Sequence, residues 1–209
     1  MHEQTMNALQ HFRNSAYKQY ETLYHELENN QFPTTLLITC SDSRIVPELM
    51  LDIKPGDMFT IRNIANTVPP IKDSHLDLTT ISAIEYAVEV LTVEEIIICG
   101  HSNCGGCAAA LHAEESLAKL PYTQHYLKPL EHVRNKIKDY AAYNQSEQLL
   151  MEKLNVIEQM KHLTDYSFIT NRMDQGLLEI EGWHYDIGTG DVTKYYEETD
   201  EFIDFLDLT

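Results

Sequence analysis

Thr34–Cys40 reads TTLLITC and continues into Ser41, Asp42, Ser43 and Arg44. The run is short, apolar and rich in β-branched residues, which predicts a strand buried on both faces. Glu95–Cys99 (EIIIC) has the same character, and Gly100 is expected to turn the chain into His101-Ser-Asn-Cys104. Met58–Arg62 supplies another strand candidate. Between these strands Leu78, Ile81, Ile84, Val88 and Leu91 recur at helical spacing. Strands alternating with helices imply an α/β fold with a mostly parallel central sheet flanked by helices. Ligand sites in such sheets lie at the carboxyl ends of strands, where both cysteine segments fall.

Outward from this centre, Met6, Leu9, Phe12, Ala16, Tyr20, Leu23 and Leu27 predict one long N-terminal helix through Asn30, closed by Pro33. We read the chain as one domain over 1–209, with 1–31 as a helical arm whose sticky face suits its own domain or a second subunit. A short helix is expected at Pro47–Met50 and a turn at Pro55-Gly56. A helix should follow Gly106 through Leu111. Polar helices are expected near Leu127–Tyr140 and Ser146–Thr164, and a helical stretch over Thr170–Gln175 ending at Gly176. Leu178–Ile187 alternates with a change of phase at Gly182, which suggests a bulge. Gly188-Thr-Gly190 reads as a turn into an antiparallel return over Asp191–Tyr196, which makes a C-terminal hairpin. A short helix is expected around Phe202–Leu206.

The 209 residues carry 15 basic and 33 acidic side chains, a net charge of −18. This balance disfavours a nucleic-acid partner, whose phosphates require a basic surface, and an anionic membrane surface. Solubility is its simplest meaning. No apolar run approaches the roughly 20 residues that cross a bilayer, and Met1–Asn30 lacks the pattern of a signal peptide. The expected location is cytoplasmic, with Cys40, Cys99, Cys104 and Cys107 reduced.

Cys40, Asp42, His101 and Cys104 together offer two thiolates, an imidazole and a carboxylate, a set that suits zinc. Three firm ligands and one replaceable position define a catalytic zinc. Asp42 has two possible roles, closing the site as fourth ligand or turning to Arg44, whose planar fork suits a carboxylate. Cys99 lies inside a strand and reads as packing. Cys104-Gly-Gly-Cys107 is also a C-x-x-C, which keeps a redox dithiol or non-catalytic zinc module as a rival. That rival leaves Cys40, Asp42 and His101 unexplained. Gly105 and Gly106 allow close backbone approach, with amides near a helix start that favours anions. His162 and His184 have no partner at ligand spacing and read first as surface or packing residues.

The C-x-D-S-R and H-x-x-C-G-G segments resemble the β-class carbonic anhydrases in their plant-like subgroup. Lys54-Pro-Gly-Asp57, Arg62-Asn-Ile-Ala-Asn66 and Ala83-Ile-Glu-Tyr-Ala87 extend the likeness, which runs from about Gln31 to Tyr196. The resemblance implies one zinc ion per chain on Cys40, His101 and Cys104, with Asp42 and Arg44 as the catalytic dyad. It places Gln31, Phe59, Ile64 and Tyr86 in the substrate pocket, with a backbone amide by Gly105 or Gly106. The implied reaction is reversible hydration of carbon dioxide to bicarbonate and a proton. A homodimer or homotetramer is implied, with pocket residues crossing the interface. A relative hydrolysing carbon disulfide or carbonyl sulfide on the same zinc is the nearest alternative.

Overall fold

The computed structural model describes residues 2–140 and 145–208; Met1, 141–144 and Thr209 of the one-domain reading lie outside them. Six strands form one sheet: β1 (Thr35–Cys40), β2 (Met58–Asn63), β3 (Glu95–His101), β4 (Glu179–Tyr185), β5 (Val192–Tyr196) and β6 (Glu201–Asp204). Their order is β2-β1-β3-β4-β5-β6. β2, β1, β3 and β4 are parallel, whereas β5 and β6 are antiparallel. β1 and β3 are central and almost wholly buried, which their continuous apolar sequences require.

The helices are α1 (His2–Asn14), α2 (Ala16–Gln19), α3 (Glu21–Glu26), α4 (Pro47–Met50), α5 (Leu78–Glu85), α6 (Gly105–Leu111), α7 (Ala113–Ser116), α8 (Pro121–Tyr126), α9 (Glu131–Lys136), α10 (Glu147–Thr164) and α11 (Ser167–Asp174). No helix among the described residues is long and apolar enough to cross a membrane. Ser146 caps α10 by accepting a hydrogen bond from the Leu149 amide at 3.2 Å. The buried face of α10 carries Leu150, Met151, Leu154, Val156 and Leu163, together with five polar residues.

The arm is three short helices instead of one, broken where Ser15 and Tyr20 leave helical geometry. Tyr17 stacks on Tyr24 with ring centroids 5.1 Å apart across the second break. Met6, Leu9 and Phe12 remain exposed, so core packing does not straighten the arm. The helix expected through Leu91 is α-helical only to Glu85 and widens into a π-turn over Tyr86–Val90. The expected Leu127–Tyr140 helix is 3₁₀ at both ends, with α9 between.

Gly182 is not a bulge. The β3–β4 register runs unbroken from Glu95↔Glu179 to His101↔Tyr185. A Cβ at Gly182 would lie 2.8 Å from Val156 Cγ1 and strike Met160 Sδ, and one at Gly100 would lie 2.6 Å from Val156 Cγ2. Both glycines let α10 settle close to the sheet, and Gly100 continues β3 instead of turning the chain. The helix expected at Phe202–Leu206 is mostly strand β6, followed by a 3₁₀ turn over Phe205–Leu208. Phe202 packs on Tyr195 and against the edge of His184, and Phe205 meets Trp183 edge-on. The Phe202 contacts across the sheet favour extended backbone over the weak local helical pattern.

Candidate metal centre and active site

Cys40 ends β1 and His101 ends β3, at the carboxyl edge of neighbouring parallel strands. Cys104 is the N-cap of α6. Asn103 between them takes φ +55°, a left-handed conformation that asparagine tolerates better than most residues. Ser102 ties this turn to the end of β4: its amide donates to Tyr185 O at 2.9 Å and its Oγ accepts from the Ile187 amide at 2.9 Å.

One donor atom from each of Cys40, His101 and Cys104 lies within 4.8 Å of the others, and all three residues are buried. Cys40 Sγ and Cys104 Sγ are 4.0 Å apart; two sulfurs about 2.3 Å from one tetrahedral ion stand about 3.8 Å apart. His101 Nδ1 lies 3.0 Å from Ser102 O, which leaves Nε2 for the site. Nε2 is buried without a hydrogen-bond partner among the described residues. An orphaned imidazole nitrogen beside two sulfurs fits zinc. Contact with Cys104 and burial push the Cys40 thiol up to about 12. Contact with Cys107 leads the shift of Cys104, also to about 12. A cation is therefore what would convert both thiols to thiolates here.

The Asp42 carboxylate is forked onto Arg44. Arg44 Nε donates to Oδ1 at 2.9 Å, Nη2 donates to Oδ2 at 2.7 Å, and the Arg44 amide donates to Oδ1 at 2.9 Å. The guanidinium holds the Asp42 carboxyl well below the usual carboxylate range. Asp42 is thus engaged by Arg44 in this structure, and the three-residue ligand group does not include it. Arg44 Nη2 also donates to Asn103 O at 3.0 Å, joining the two motif segments directly.

Several supporting residues were not assigned roles in the sequence. Arg62 donates to Cys40 O, Asp42 O and Ile45 O at 3.2, 2.7 and 2.8 Å, fixing the loop that carries the dyad. Glu152 on α10 accepts the Cys104 amide at 2.9 Å. No local pattern announces either contact; long-range packing creates both. His162 and His184 are buried rather than on the surface, with His162 Nδ1 2.7 Å from Val68 O and His184 Nε2 3.3 Å from Glu152 Oε2. Cys99 is buried inside β3, as expected. Cys107 is also buried, with Asn155 Nδ2 at 3.8 Å from its sulfur.

The expected pocket residues fall into two groups. Ile64, Gly105 and Gly106 lie at the metal end. A Cβ on Gly106 would come within 2.8 Å of Ile64 Cγ2 and 2.9 Å of Ala65 Cβ, whereas one on Gly105 meets nothing within 4 Å. Gly106→Ala should therefore separate α6 from the Ile64–Ala65 segment and lower stability by about 1–3 kcal/mol. Gly105→Ala should be far milder, and paired thermal melts check the contrast. Phe59 instead pairs with Leu36 near the opposite end of the sheet, four residues before the Cys40↔Asn63 pair, or about 13 Å along the strand. Phe59 and Tyr86 have ring centroids 6.2 Å apart, and Tyr86 shares a surface hollow of about 600 Å³ with Gln31. A single chain does not bring Gln31, Phe59 and Tyr86 to its own metal end.

The fold and this cysteine–histidine group define a mostly parallel α/β protein with residues at its strand ends that could hold a metal ion. The family described as carbonic anhydrase matches residues 35–192, and the chain belongs to that family, in its β class. It is 37% identical over 196 residues to a carbonic anhydrase of Helicobacter pylori strain J99, covering 91% of this chain and 89% of the relative. The solved structure of the β-carbonic anhydrase CcaA superposes with a TM-score of 0.90 at 33% identity, covering 97% of this chain and 91% of that one. A structure from a study of two tetrameric β-carbonic anhydrases from the filamentous ascomycete Sordaria macrospora gives a TM-score of 0.80 at 33% identity, covering 92% and 95%.

Proposed function

We propose that this chain catalyses the reversible hydration of carbon dioxide to bicarbonate and a proton, with one zinc ion on Cys40, His101 and Cys104. The observation that carries the reading is the pairing of that ligand group with the Asp42–Arg44 fork at one sheet edge. Bound zinc would supply a Lewis acid that brings the pKa of water from about 15.7 to about 7.

The protein groups do the positioning. Asp42 is ionised because Arg44 holds it so, and an ionised carboxylate can only accept hydrogen bonds. With zinc held by Cys40, His101 and Cys104, Asp42 would accept a hydrogen bond from the water-derived nucleophile and so orient it for carbon dioxide. Arg44 keeps the carboxylate from rotating, because both oxygens are held by one planar fork. Ile64, packed against Gly106, gives an apolar wall suited to a neutral linear molecule. The Arg44-bound state of Asp42 supports the plant-like subgroup, in which the fourth ligand position stays free for exchange.

Gln31, Phe59 and Tyr86 are read as completing the pocket of a second copy, so the working unit is a homodimer or a homotetramer built from it. The exposed apolar arm residues Met6, Leu9 and Phe12 support this assembly. Multi-angle light scattering should give a mass of two or four chains; a monomer at assay concentration contradicts it. A cytoplasmic location is part of the same reading, supported by the four free cysteines, two of them proposed ligands. Stopped-flow assays with carbon dioxide, carbon disulfide and carbonyl sulfide side by side test the reaction. Carbon dioxide hydration should dominate, and faster turnover of either sulfur compound would replace this assignment.

A further inference from the structure

We propose that Glu152 and Gln148 form a positioning clasp that holds the Cys104 peptide and thereby sets the strength of the metal site. The proposal rests on the zinc assignment above and extends it to α10. Glu152 Oε1 accepts the Cys104 amide at 2.9 Å, and Gln148 Nε2 donates to Cys104 O at 3.2 Å. The two residues are one helical turn apart, so one face of α10 grips both polar groups of Cys104. Gln148 Nε2 also donates to Glu152 Oε1. The other Glu152 oxygen lies 3.3 Å from His184 Nε2, with both residues buried.

A carboxylate so deeply buried is costly unless donors satisfy it. Here the Cys104 amide, Gln148 and His184 do so. Among the described residues no lysine or arginine pairs with it, so its contacts all run to the Cys104 peptide, Gln148 and His184. The amide grip fixes the Cys104 backbone, and with it the direction of Sγ towards Cys40 and His101. Outer groups that hold a ligand in this way typically change metal affinity by about 10- to 100-fold. His184 anchors the clasp to β4, where Thr193 Oγ1 donates to its carbonyl at 3.3 Å.

The test measures zinc affinity by chelator competition and the thiolate-to-metal charge-transfer band after cobalt substitution. The samples are wild type, Glu152→Ala, Glu152→Gln and Leu163→Ala. Leu163 lies on the same helix but packs in the core cluster away from the cysteines. Glu152→Ala should bind zinc about 10- to 100-fold more weakly and shift the cobalt band. Glu152→Gln, which keeps an acceptor for the Cys104 amide, should recover most of that loss. Leu163→Ala should lower the melting temperature with zinc affinity unchanged. Wild-type affinity and an unshifted band in Glu152→Ala would overturn the clasp. Should Glu152→Ala not fold, Gln148→Ala replaces it, expected to weaken zinc binding several-fold, and unchanged affinity there overturns the clasp equally. A wild-type protein that binds no zinc would instead refute the metal assignment itself.

Discussion

Replacing His101 by alanine is expected to release zinc and reduce carbon dioxide hydration to near the uncatalysed rate. His101 is fully buried, and its Nε2 has no hydrogen-bond partner among the described residues to share it with a metal. Removing it leaves two sulfurs, too few for the three-ligand catalytic arrangement. Without the ion, water returns from a pKa of about 7 to about 15.7, and Asp42 has no activated oxygen to orient. A buried histidine replaced by alanine also opens a cavity, so the effect must be separated from unfolding. Cys40→Ser makes that separation, because it changes one atom at the other end of the ligand group. Both variants should retain the far-ultraviolet circular dichroism of the wild type, bind substoichiometric zinc and lose hydration. A zinc-free His101→Ala enzyme with substantial turnover would remove the metal from the reaction.

Asp42→Asn is expected to keep zinc and lose about 10²- to 10⁴-fold in kcat, the range for a positioned proton-handling group. Asparagine preserves the size of the side chain but introduces an NH₂ donor where the Arg44 fork needs an acceptor. The fork would break or rotate, and the remaining carbonyl oxygen could no longer face both Arg44 and the nucleophile. Zinc content should stay at one per chain, because the ligand group does not include Asp42. Arg44→Lys should fall in the same direction by a smaller factor, since an ammonium holds one oxygen instead of two. Zinc-replete Asp42→Asn enzyme with wild-type kcat would exclude Asp42 from the chemistry.

The parts of the fold legible in the sequence were those fixed by burial. β1 and β3 are continuous apolar runs because both faces are covered, and such runs announce themselves. The ligand group was legible because strand ends in a parallel sheet converge, which brings Cys40 to His101 and Cys104 across 61 and 64 positions of sequence. The arm was misread as one helix because apolar periodicity does not reveal where a segment lacks a partner to pack on. Gly182 was misread because the space it gives up belongs to Val156 and Met160, on a helix more than 20 residues earlier. β6 was misread because its extended form depends on Phe202 meeting Tyr195 on β5 and His184 on β4. Arg62 and Glu152 act through backbone carbonyls and an amide, and such partners leave no sequence pattern. Gln31, Phe59 and Tyr86 lie far from their own chain's metal end, as pocket residues serving a neighbouring copy would.

Zinc stoichiometry of the purified protein, measured on the sample used for stopped-flow hydration, tests the central claim most directly. One zinc per chain, lost together with hydration on chelation and restored together on adding zinc back, is the predicted result. Full hydration by protein stripped of metal, or an active preparation that holds no zinc, would contradict it.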